Sequence, residues 1–96
     1  MSAYLVLDFA IHDLRGFMEY ADNVPAFLAK HGGRYIVKGV VPKVMEGDWS
    51  PERMVILEFP SSRHAEDFLA DPEFRTLKDV RLRTTDSKLV LVEGCD

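Results

Sequence analysis

The sequence holds a single cysteine, Cys95, next to the C-terminus. A lone thiol there closes no internal disulfide and carries no sign of activation, so neither a disulfide framework nor cysteine chemistry is expected. Long apolar runs are missing too. None approaches the roughly 18 uncharged residues of a membrane helix, and the opening MSAYLVLDFAIHDL lacks a basic stretch and is interrupted by Asp8. No membrane span or signal peptide is expected, and the chain reads as cytoplasmic. Positive charge is in short supply: 12 Lys and Arg face 16 Asp and Glu, a net charge of −4. That balance argues against general binding to nucleic acid or an anionic membrane surface, leaving a small molecule or a second copy of the chain as partner. There is no Gly-x-Gly-x-x-Gly phosphate loop and no Gly-x-Ser-x-Gly elbow around Ser61 or Ser62, while His12 and His64 have no partners at metal-ligand spacing. No cofactor, metal site or covalent nucleophile is therefore expected.

What remains is an ordinary globular composition, 47% hydrophobic over 96 residues, without repeats or linkers, so residues 1–96 are read as one domain. Ala3 to Ile11 alternates apolar side chains and predicts a strand. Asp13 then caps a helix whose Leu14, Phe17, Met18, Ala21, Val24 and Leu28 follow the i, i+3, i+4, i+7 spacing of one buried stripe. Pro25 predicts a kink or break near Asn23, and Gly32 and Gly33 predict the helix stop.

A second strand is expected from Arg34 to about Glu46, with Gly39 and Pro42 marking a bulge or an edge. The segment Glu46 to Glu52 is turn chemistry, Arg53 to Phe59 a third strand, and Ser61 or Ser62 the cap of a helix. Asp71 and Pro72 restart that helix, whose second piece is expected to run to about Arg83 with Phe74, Leu77 and Leu82 inward. Ser87 to Glu93 is the fourth strand.

The order βαββαβ is the ferredoxin-like α+β arrangement, a four-stranded antiparallel sheet with helices on one face. The strands carry apolar residues on both faces: Val55, Leu57 and Phe59 against Met54 and Ile56, and Leu89 and Leu91 against Val90 and Val92. Two helices cover one face only, so the other predicts a homodimer through the sheet.

Five spaced motifs add a resemblance. HGGRY at His31–Tyr35, EGDW at Glu46–Trp49, EFPS at Glu58–Ser61, DPEF at Asp71–Phe74 and LVEG at Leu91–Gly94 together resemble the domain-of-unknown-function 1330 family. The resemblance implies a dimeric α+β barrel, in which two ferredoxin-like subunits pack their sheets face to face. It implies no settled activity.

Candidate site residues follow from side-chain chemistry. His31, Arg34 and Tyr20 offer an acid or base, a fixed cation and a phenol near the end of the first helix, or else a helix cap with snorkelling side chains around it. Trp49 and Arg53 flank a turn, as the lip of a ligand pocket or as packing at a subunit seam and an ion pair with Glu46 or Glu52. Glu58 is either a buried base or a carboxylate held ionised by an arginine, and Asp8 poses the same choice. Arg75, Lys78, Arg81 and Arg83 read as a solvated basic face. Two functions are carried forward. One is a homodimeric module binding a small metabolite between sheet and helices. The other is a cofactor-independent enzyme acting like a monooxygenase, isomerase or dehydratase on a small carbonyl or aromatic compound, with His31 moving a proton, Arg34 or Arg53 steadying negative charge, and Tyr20 and Trp49 shaping the pocket.

Overall fold

Alternation decides the first strand, β1 (Ala3–Ile11), where Ala3, Leu5, Leu7 and Phe9 are buried and the residues between them are only partly covered. In the computed structural model, which describes residues 1–96, β1 is a central strand of an antiparallel sheet. It pairs with β3 (Arg53–Phe59) on one side and β4 (Thr85–Glu93) on the other, and β2 (Arg34–Val40) lies outside β3. The sheet order is β2-β3-β1-β4. Helices α1 (Leu14–Lys30), α2 (Ser62–Ala70) and α3 (Arg75–Thr84) complete the ferredoxin-like order, with one 3-10 turn at Pro72–Phe74 between the last two.

The predicted break at Pro25 does not occur: α1 runs unbroken through it. Val24 and Leu28 are buried on either side of the proline, so core packing holds both halves in line, while Pro25 itself faces out. Asn23 Nδ2 donates to the Glu19 carbonyl at 2.7 Å, supplying a hydrogen bond in the turn the proline weakens. The stop is a Schellman closure. Gly33 N donates to Leu28 O at 2.8 Å and Gly32 N to Ala29 O at 3.3 Å, with Gly32 at φ 75°.

Strand β2 ends at Val40, short of the expected Glu46. Register shifts between Tyr35 and Val37 and between Lys38 and Val40 mark it as a bulged edge, and Pro42 brings no amide hydrogen to extend it. The first shift matters for the site. Tyr35 is level with Leu57 on the helix-facing side, and after the shift Lys38, level with Val55, returns to that side.

Helix α3 departs from expectation in phase. Leu82 is 53% exposed, and the buried stripe is instead Leu77, Val80, Arg81 and Thr84. The core joins this stripe to the inner face of the sheet through an aromatic chain: Phe9, Phe17, Tyr20, Phe74, Phe68 and Phe59, each ring centroid within 6.3 Å of the next. Truncating a fully buried member such as Phe59 or Phe68 to alanine would cost about 3–5 kcal/mol. The opposite sheet face is open in the single chain, where Val40, Val90 and Val92 are each about half exposed.

Candidate functional site

Between α1, α3 and the inner sheet face lies a cavity of about 280 Å³. Of its 21 lining residues 17 are hydrophobic, and the other four are Lys38, Gly39, Arg53 and Arg81, so its walls hold three cations and no carboxylate. The lining residues left exposed, Leu14, Met18, Lys38 and Arg53, mark the mouth, and the buried Leu5, Phe68, Phe74 and Arg81 the interior. At the mouth Lys38 Nζ sits 4.9 Å over the Tyr35 ring, and Arg53 donates to Gly39 O at 3.0 Å, bracing the second bulge of β2.

Two phenols, Tyr20 and Tyr35, also reach the cavity. Burial pushes the Tyr20 hydroxyl up to about 12, against the opposing pull of the nearby Arg81 charge, and burial also raises Tyr35. Both are therefore hydrogen-bond donors at neutral pH.

The residues singled out in the sequence fall into four separate places. Tyr20 and Arg53 line the cavity. His31 does not. Its Nε2 lies 2.8 Å from Asp71 Oδ2, and its ring meets the edge of Phe68. Lys30 Nζ reaches the same carboxylate oxygen at 2.8 Å, while Asp71 Oδ1 accepts from Glu73 N at 2.9 Å and caps the 3-10 turn. Lys30, His31 and that backbone amide together hold the Asp71 carboxyl well below the usual carboxylate range.

Arg34 lies on the other side of the sheet, where its Nε donates to Glu58 Oε1 at 2.7 Å and Tyr4 Oη donates to Oε2 at 3.1 Å. Of the two alternatives for Glu58, the arginine-paired one holds, with Arg34 and then Tyr4 drawing its pKa down. Trp49, 60% exposed, donates from Nε1 to Asp8 Oδ2 at 2.7 Å beside an open polar groove. No group of three His, Cys, Asp or Glu side chains comes together that could hold a metal, and no helix is long and apolar enough to cross a membrane.

The residue that sequence reasoning missed is Arg81. It is 5% exposed, on the buried stripe of α3, where the basic run from Arg75 to Arg83 suggested a solvated face. The signal was its spacing, four residues after Leu77 and three before Thr84.

A four-stranded sheet in this order, closed by helices on one face over an apolar cavity, defines a ferredoxin-like α+β protein. Residues 2–95 match the family model described as Domain of unknown function (DUF1330), and the chain belongs to that family. No curated protein matches it. Its fold is shared by a protein of unknown function from Rhodopseudomonas palustris, at TM-score 0.79 and 16% identity over 99% of this chain and 83% of that one. A dimeric ferredoxin-like protein of unknown function from Jannaschia is similar at TM-score 0.74 and 9% identity, over 98% of this chain and 100% of the other. SnoaB, a cofactor-independent oxygenase from Streptomyces nogalater, is similar at TM-score 0.70 and 19% identity, over 99% and 94%.

Proposed function

We propose that this protein is a homodimer, joined through the open sheet face, that binds a small and largely apolar molecule in the cavity between sheet and helices. The cavity carries this reading: it sits near the small end of the range of about 300–1,000 Å³ for ligand sites and combines apolar walls with a few convergent donors. Tyr20 and Arg53 are assigned to the ligand. His31, Arg34 and Trp49 are assigned to the framework, because each is engaged by a carboxylate outside the cavity. The dimer rests on the uncovered valines and on the dimeric Jannaschia relative.

The enzymatic alternative, cofactor-independent chemistry on a small carbonyl or aromatic compound, draws on the fold shared with SnoaB. In that version the groups in reach of a bound substrate are Tyr20, Tyr35, Lys38, Arg53 and Arg81, and proton transfer falls to a phenol instead of His31. Native mass spectrometry of freshly purified protein tests the main reading. A species at about twice 10.9 kDa that carries an extra small mass is expected. A bare monomer would end it.

A further inference from the structure

Arg81 is a charge without a partner. The residue is only 5% exposed, its buried Nε makes no hydrogen bond, and no acidic side chain lies within ion-pair distance of it. Guanidinium does not shed its proton at physiological pH, so it cannot escape burial by neutralising, as a buried lysine can. The hydroxyls that follow it in the chain offer no partner: Thr84 Oγ1 donates to Val80 O at 2.7 Å and Thr85 Oγ1 to Arg81 O at 2.6 Å, and neither accepts from Arg81. Buried charges are ordinarily paired and hydrogen-bonded, and this one lines the cavity instead.

We infer that the cavity receives a small organic anion, whose carboxylate is held by the Arg81 guanidinium beside the Tyr20 hydroxyl while its apolar or aromatic body lies among the aromatic side chains. This rests on the reading of the cavity as a ligand site and names the ligand class. Four observations converge on it. The guanidinium fork matches a carboxylate bidentately. Tyr20 stays protonated to about pH 12 and so donates instead of repelling. The walls contain no acid that would compete for the arginine. Lys38 and Arg53 at the mouth place further positive charge on the way in, although the protein as a whole is acidic.

The test compares naphthoate with its neutral isostere naphthamide, by NMR titration of the full chain and of Arg81→Met, with the melting temperature of each protein measured without ligand. The wild type is expected to bind the carboxylate at least about tenfold more tightly than the amide. Arg81→Met should lose that preference while still binding naphthamide, and should melt no lower than wild type, since an apolar side chain replaces an unpaired buried cation. Equal wild-type affinity for the two probes, or a preference surviving in Arg81→Met, would overturn the anion assignment and leave the cavity reading standing. Binding of neither probe would overturn both. A variant that fails to fold would show Arg81 to be a structural group and also sink the assignment.

Discussion

His31 Nε2 and Asp71 Oδ2, 40 residues apart in sequence, stand 2.8 Å from each other and tie the end of α1 to the joint between α2 and α3. The same carboxylate oxygen takes Lys30 at 2.8 Å, so one buried acid gathers both side chains at the end of the helix. Because its pKa is depressed in the folded chain, Asp71 contributes stability that is fully present above the ordinary aspartate value of about 4. That contribution is lost as pH falls below it toward the lowered folded value. Thermal melts between pH 7 and pH 2 should therefore show a drop beginning near pH 4, with Glu58, lowered by Arg34, adding to it. Asp71→Asn should melt several degrees lower at pH 7 and show a shallower acid limb; an unchanged limb would detach Asp71 from it.

Gly33 is held for space. A Cβ there would lie 2.6 Å from Phe59 Cε1, in the tightly packed end of the core, so Gly33→Ala is expected to destabilise by about 1–3 kcal/mol. Gly32→Ala acts by another route, straining a backbone at φ 75°, and should cost about 1–2 kcal/mol. Urea midpoints of the two variants measure both, and a Gly33→Ala protein as stable as wild type would mean that Phe59 can move aside.

Ile56 is part-covered on the open face, opposite Val6 of β1 and Val37 of β2. Ile56→Glu puts a charge in the middle of the proposed subunit contact and should halve the mass measured by light scattering, with far-ultraviolet circular dichroism retained. A dimer that persists would move the contact to another surface.

Tyr20 is the last of the three tyrosines expected to ionise. Absorbance titration should show a phenolate phase near pH 12 that is missing in Tyr20→Phe. Its stabilising contribution is present below the ordinary tyrosine value of about 10 and fades as pH rises toward 12. At neutral pH the variant should lose less than about 1 kcal/mol of stability, because its ring keeps its packing on Phe17 and Phe74. Weaker naphthoate binding by Tyr20→Phe is expected in the same titration used for Arg81→Met.

Strands β1 and β3 were legible in the sequence to the residue, β1 because a half-buried strand must alternate and it does, β3 because turn chemistry before Arg53 and Pro60 after Phe59 bound an apolar run. Pro25 misled because its local penalty is smaller than the burial of Val24 and Leu28 around it. Leu82 misled in the opposite sense: its hydrophobicity suggested the core, but the helical period sets Arg81 and Thr84 inward and leaves Leu82 facing water. The three candidates Tyr20, His31 and Arg34 are close in the chain, yet the cavity, the helix joint and the far sheet face receive one each. Which of those places a side chain reaches depends on register and on elements 24 to 40 residues away, as the Arg34–Glu58 and His31–Asp71 partnerships show.

The bulge between Tyr35 and Val37 gives β2 the properties of a switchable edge. The extra residue it takes up, Ile36, lets Lys38 stay level with Val55 on the cavity side; with the same residues and no bulge, regular alternation would turn Val37 to the cavity mouth and Lys38 to the outer face, leaving β1, β3 and β4 untouched. Straightening this one irregularity would thus exchange a cationic rim for a greasy one. The character of the cavity mouth is set by the irregularity of one edge strand, while the interior arginine and the rings around it belong to elements that the bulge does not touch.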